Sequence, residues 1–215
     1  PFVSRRAIPL EQVCEIAHSR GVPVIVDAAS MLPPRENLWR YLAEGADMVS
    51  FSGGKGIRGP QGTGILCGRA ELIEAAAAHA NPAQFLGRPM KVAKEEVLGL
   101  VAALSMFVEE DEEAEMRAYR RLVQPVVDAL SEVPGLTITL EHDEHDYLIP
   151  HALLQFGRDW HGPSRDEIAK AMEEGEPAIY LHQLGQPDEL AVDPLNLTEE
   201  ETSTVIRRLR EELSR

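Results

Sequence analysis

No run of apolar residues in the 215-residue chain reaches the length of a membrane span. No basic-then-apolar leader stands before the first helical pattern, so neither a secretion signal nor a membrane partner is expected. Cysteine is scarce. Cys14 and Cys67 lie in apolar segments and read as reduced, buried thiols of a cytoplasmic protein, not as a disulfide or a metal pair. Positive charge is short too. With 36 acidic residues against 21 basic ones the net charge is −15, a surface that repels phosphate backbones and excludes general nucleic-acid binding. Lysine is the scarcest cation, with only Lys55, Lys91, Lys94 and Lys170. No internal repeat and no low-complexity linker is present. The chain begins at Pro1 without Met and is expected to be the C-terminal portion of a longer protein.

What is there alternates. Leu10, Val13, Ile16 and Ala17 have helical spacing, and Gly21 suits the stop. "VPVIVDAAS" follows, a β-branched run too continuous for a half-exposed strand. It predicts a parallel strand covered on both faces, with Asp27 at its C-terminal end. "ENLWRYLAEGA" is a short helix, "DMVSFS" a second buried strand, "GTGILCG" a third, and Glu71 to His79 an alanine-rich helix. This order predicts an α/β layer fold with a mainly parallel sheet. Residues 91–132 read as mostly helix, interrupted by the acid run "EEDEEAE", which is expected to be a solvated face. Pro125 is expected to kink or restart the helix. The last third predicts a small α+β domain: strands "TITLE" and "HALLQF", a strand pair "PAIYLHQ" and "DELAVDP", and two helices. Each helix opens with a capping box, Ser164 with Glu167 and Thr198 with Glu201. The expected boundary gives domains 1–108 and 109–215, bridged by the long helix.

Between the second and third strands, "SFSGGKGIRGPQGTG" places Lys55 among six glycines in fifteen residues. A Walker loop is excluded, because Val49 and Gly56 stand where a glycine and a Ser or Thr are required. A solvated turn lysine is the default for a glycine-rich loop. The third reading is a lysine that forms a Schiff base with a carbonyl cofactor, its proton made easier to lose by a tight loop and a cationic neighbour such as Arg58. In that reading the glycines let backbone approach a flat ring and its phosphate. Asp27 favours the third. A carboxylate at the C-terminal end of a buried parallel strand lies where ligands bind in open α/β sheets. Pyridoxal phosphate requires a lysine at its aldehyde and an acid at its pyridine nitrogen. Asp27 and Lys55 stand 28 positions apart on neighbouring strand ends. Ser52, or alternatively Ser50, is a candidate for the cofactor phosphate.

"VIVDAAS" together with "ADMVSFSGGKGIRGPQGTGILCG" resembles the fold-type I pyridoxal-phosphate enzymes. The pattern is most similar to the selenocysteine synthase-like group, which includes the L-seryl-tRNA(Sec) selenium transferases and D-glucosaminate-6-phosphate ammonia lyase. The resemblance covers about Val22 to Arg69 and continues more weakly to the tail. It implies the aspartate aminotransferase-type fold: the later part of a cofactor-binding large domain, then a small α+β domain. It implies pyridoxal 5'-phosphate as cofactor, Lys55 and Asp27 as catalytic and cofactor-binding residues, and Ser52, Ser30 and Gly54 as further cofactor contacts, with Gly53 and Gly59 in the same loop. It also implies a homo-oligomer, dimeric or higher, and a lyase or transferase. Such an enzyme acts on an amino acid or amino sugar acid by α-proton abstraction and β-elimination. The group's preceding segment, with a phosphate loop and a ring-stacking residue, has no counterpart here. Its selenium transferases carry arginines where this chain has Leu181 and His182, and with the acidic charge this favours lyase chemistry over tRNA-linked serine chemistry. The reading from another class is a non-catalytic homologue acting in assembly.

Arg158 is a candidate for a substrate carboxylate or phosphate, with an ordinary surface role equally open. Arg58 divides equally between phosphate ligand and loop charge partner. "EHDEHD", with His142, His145, Asp143 and Asp146 near His151, reads as a solvated loop, so no metal is expected. His182 reads as a surface histidine, and Trp39 and Trp160 as packing or rim residues.

Overall fold

A computed structural model describes residues 8–143, 148–183 and 187–214. The chain divides into two compact units, Pro1–Glu112 and Glu113–Arg215. Among the described residues, no helix is long and apolar enough to cross a membrane.

The first unit is built on a three-stranded sheet of order β1-β2-β3, with β1 at Ile25–Asp27, β2 at Met48–Ser52 and β3 at Gly64–Gly68. β1 and β2 run parallel, and β2 and β3 antiparallel. Register and alternation divide the side chains cleanly. Val26, Val49 and Cys67 share one face with Phe51 and Ile65. That face packs on Tyr41 of α2 (Asn37–Ala43) and on Phe107, Leu100 and Leu104 of α4 (Lys94–Glu109). The opposite face carries Ile25 and Met48, then Asp27, Ser50 and Leu66, then Ser52. Ile25 is 59% exposed and Leu66 44%. Among the described residues of this chain, helices bury only the first of these faces, where the sequence predicts cover on both. Helices α1 (Leu10–His18) and α3 (Ala70–His79) complete the unit. Asp47, buried just before β2, ties them in by accepting from Val24 N–H (2.7 Å), His18 Nε2 (2.8 Å) and Arg69 Nη1 (2.8 Å).

The helix read over 91–132 is two helices. α4 stops at Glu109, Glu110 takes an extended ψ of 148°, and α5 runs Glu112–Leu130 with Pro125 inside it. The break falls at the acid run and not at the proline. Buried Arg35 explains it. Its Nε donates to the carbonyl of Phe107 in the last turn of α4, its Nη1 to Glu112 (2.9 Å), and its Nη2 to Glu110 (3.4 Å). A guanidinium so placed caps the α4 carbonyls and pairs with the carboxylates beyond them. Glu110 and Glu112 are thus anchors as well as part of a solvated face. Pro125 is tolerated where Val123, Val126 and Leu130 of the same helix are fully buried.

The second unit has an antiparallel sheet of order β4-β5-β6, with β4 at Leu136–Glu141, β5 at His151–Phe156 and β6 at Glu189–Val192. Leu136, Ile138 and Leu140 stand opposite Phe156, Leu154 and Ala152, which continue to Leu190 and Val192. This face packs on α5, on α6 (Arg165–Glu173) through Ile168 and Met172, and on α7 (Glu199–Leu213) through Val205, Leu209 and Leu213. Both expected capping boxes form: Ser164 and Thr198 accept from the N–H groups of Glu167 and Glu201. "PAIYLHQ" does not form a strand. Only His182 pairs, as an isolated bridge to Ala191. Trp160 packs edge-on against Phe156 at 5.5 Å, whereas Trp39 is 58% exposed.

Candidate active site

The open face of the first sheet leads directly to Lys55. β1 ends at Asp27, level with Ser50, and pairing continues one step further, Ala28 N–H donating to Ser50 O at 2.9 Å. The chain then turns, Met31 N–H bonding Ala28 O at 3.1 Å. The Asp27 carboxylate accepts Ala29 N–H at 3.0 Å, which fixes its orientation at the strand end. Ser30 sits on this turn. Lys55 Nζ donates to Ser30 Oγ at 2.7 Å. The turn that follows Asp27 and the loop that carries Lys55 therefore meet through their side chains, and Asp27, Ser30 and Lys55 are all exposed. Ser52 ends β2 opposite Gly64, on the same face as Ser50 and Asp27.

The lysine loop is held by its own backbone. Gly53 N–H bonds Thr63 O (2.9 Å), Gly59 N–H bonds Gly53 O (2.7 Å) and Arg58 N–H bonds Lys55 O (2.8 Å). Gln61 Nε2 donates to Gly54 O (2.7 Å), and Ile57, 2% exposed, plugs the loop into the core. The glycines serve this packing. A Cβ on Gly56 would lie 2.1 Å from the Leu32 carbonyl oxygen, and one on Gly54 would lie 2.6 Å from Gln61 Cα. The protein's own backbone therefore already requires glycine at these positions, in addition to the close approach of a ring expected from sequence. The loop residue with a left-handed backbone is Arg58, φ 61°. Its guanidinium pairs with Glu110, so in this structure it serves as a charge partner of α4.

The candidates divide between the units. Lys55, Asp27, Ser30, Ser52, Gly54 and Arg58 belong to the first unit, whereas exposed Arg158 follows β5 in the second. His145 and Asp146 lie outside the described residues. Sequence reasoning missed Gln61, whose signal was its place in the loop pattern. It also missed the pairing of His151 with residues far from it in sequence: His182, half-buried and not a plain surface residue, and Asp193.

The donor set fits pyridoxal phosphate. One primary amine for an aldehyde, one oriented carboxylate for a protonated ring nitrogen, and hydroxyls of Ser30, Ser50 and Ser52 stand along one exposed face and strand end. Comparison with known proteins agrees. Residues 6–151 match the family model described as aminotransferase class-V. The chain is similar to a 5'-C-glycyluridine monooxygenase-decarboxylase of a Streptomyces species, 35% identical over 213 residues, covering 97% of this chain and 51% of that protein. It is 31% identical over 211 residues to D-glucosaminate-6-phosphate ammonia lyase of Salmonella typhimurium, covering 97% and 54%. A solved D-glucosaminate-6-phosphate ammonia-lyase superposes with a TM-score of 0.69 at 30% identity, covering 99% of this chain and 55% of the other. The chain thus spans about half the length of the curated relatives it matches.

Proposed function

The chain belongs to the aminotransferase class-V family, whose members are fold-type I pyridoxal-phosphate enzymes, and from that premise we propose that it is part of a pyridoxal-phosphate-dependent lyase acting on an amino acid or amino sugar acid. The observation that carries the reading is the 2.7 Å hydrogen bond from Lys55 to Ser30, three residues beyond Asp27 at the end of the adjoining strand.

Bound cofactor supplies an electron sink for the pair left when a bond to the substrate's α-carbon breaks. This chain's residues do the rest. Lys55 Nζ would hold the cofactor through its carbonyl group, and it is the base placed to take the substrate's α-proton. Ser30 Oγ accepts a hydrogen bond from Nζ and keeps it aimed at the strand end. Asp27, its carboxylate fixed by Ala29 N–H, would keep a proton on the ring nitrogen. Ser52, or Ser50 on the same face, donates to the phosphate. Arg158 and Arg58 are the candidates for a substrate carboxylate or phosphate; Arg58 would leave Glu110 to serve. Residues 1–108 correspond to the later part of the cofactor-binding domain and 109–215 to the small domain. Exposed Val97, Leu98 and Val101 on α4 support association into a homo-oligomer, dimeric or higher, and the free thiols Cys14 and Cys67 fit a cytoplasmic setting.

The likeness to a monooxygenase-decarboxylase favours a second reading, loss of the α-carboxylate instead of the α-proton. One experiment separates these from an inert homologue. Full-length protein titrated with pyridoxal phosphate should develop a visible absorbance band that Lys55→Ala abolishes. A panel of amino acids and phosphorylated amino sugar acids should then release ammonia and a keto acid. Carbon dioxide release selects the second reading, and failure to bind the cofactor refutes both.

A further inference from the structure

In the second unit, three chain segments far apart in sequence bring together two imidazoles and a carboxylate. Leu153 of β5 pairs with Ala191 of β6, and Ala191 exchanges both backbone hydrogen bonds with His182, at 2.9 and 2.8 Å. These three residues are in register and share one face of the sheet. His151 lies two residues before Leu153 and Asp193 two after Ala191, so both project from that same face. It is the face opposite the helical core, where Leu153 and Ala191 form a small apolar cluster of their own. His151 is buried and His182 and Asp193 are half-buried. The two rings lie 6.1 Å apart, centroid to centroid.

The donor atoms are prepared for a cation. His151 Nδ1 lies 2.6 Å from the carbonyl oxygen of Ile149. A carbonyl only accepts, so Nδ1 carries a proton, and Nε2 is the nitrogen on the side of Asp193. Asp193 Oδ1 accepts Leu195 N–H at 2.8 Å, which leaves Oδ2 directed at His151. Outer partners of this kind fix a metal-ligating imidazole and carboxylate in orientation. His151 Nε2 and Asp193 Oδ2 are 3.6 Å apart, too long for a direct hydrogen bond. It is close to the ~3.3 Å between donors that tetrahedral bonds of about 2.0–2.1 Å impose. One ligand atom from each of the three residues lies within 4.8 Å of the others.

We propose that His151, His182 and Asp193 ligate one divalent transition-metal ion of the zinc class. Two nitrogen donors select against calcium and magnesium, which take oxygen ligands. The carboxylate selects against an anion. The site is made of second-unit residues alone and stands whether or not Lys55 holds a cofactor.

The test is titration of the chelator-treated full-length protein with zinc chloride by calorimetry in phosphate-free buffer. One saturable equivalent is expected. His182→Ala and Asp193→Asn should each weaken it about tenfold or more, while His161→Ala, at an exposed histidine outside the cluster, leaves it unchanged. Zinc should raise the melting temperature of the parent protein and of His161→Ala but not of the two ligand variants. Cobalt chloride supplies a readout that needs no variant: one equivalent should give the intense visible bands of a four-coordinate ion. Absence of a saturable equivalent, affinity unaltered in both ligand variants, or the weak spectrum of six-coordinate cobalt would overturn the proposal.

Discussion

The two units spend their sheets differently. In the second, one face of β4-β5-β6 is sealed by three helices, and fifteen buried residues among those described form a single core. In the first, a unit of similar length gathers eight described residues around β1-β2-β3, and on the other sheet face Ile25, Asp27 and Leu66 are exposed while Ser50 and Ser52 are half-buried. The open face ends at Lys55. The candidate lysine thus lies on the sheet whose second face is exposed in this chain, which spans about half the length of its curated relatives.

Core deletions should separate the units most strongly. Leu154→Ala, at a fully buried site in the second unit, should cost about 3 kcal/mol in urea unfolding, whereas Ile25→Ala on the open face should change stability by less than about 0.5 kcal/mol. Equal costs would show that the open face is covered in solution. Next comes the lysine loop. Gly56→Ala puts a methyl against the Leu32 backbone and should cost about 2 kcal/mol. Gly62→Ala meets only the Glu96 carboxylate, a side-chain end and not backbone, and should cost less, about 1 kcal/mol or under, by the same measurement. The smallest effect is electrostatic. Val24 N–H foremost, then the Arg69 guanidinium and His18, hold the Asp47 carboxyl well below the usual carboxylate range. A depressed folded pKa stabilises above the unfolded value, about 3.9, and that stability is lost as pH falls through the folded one. Asp47→Asn should therefore lower stability at neutral pH and flatten its decline below about pH 4, read from unfolding midpoints across pH.

Local chemistry made much of this legible in sequence. The apolar run ending at Asp27, the glycine loop around Lys55 and the two capping boxes are decided within a few residues. What escaped was long-range. Nothing near Glu110 and Glu112 announces Arg35, some 75 positions away, so a helix break was read as a solvated stretch. The apolar character of "VPVIV" says how much surface a strand offers, not which neighbour covers it. His151, His182 and Asp193 meet only through sheet register and a two-bond bridge, which no periodicity in "PAIYLHQ" reveals.

The central claim, that Lys55 carries the cofactor, is tested most directly by chemistry that records the attachment. Full-length protein incubated with pyridoxal phosphate is reduced with borohydride, digested, and mapped by mass spectrometry. The account predicts a pyridoxyl group on the peptide containing Lys55 and none on those containing Lys91, Lys94 or Lys170. A label on any of those three in its place, or no label at all, would contradict it.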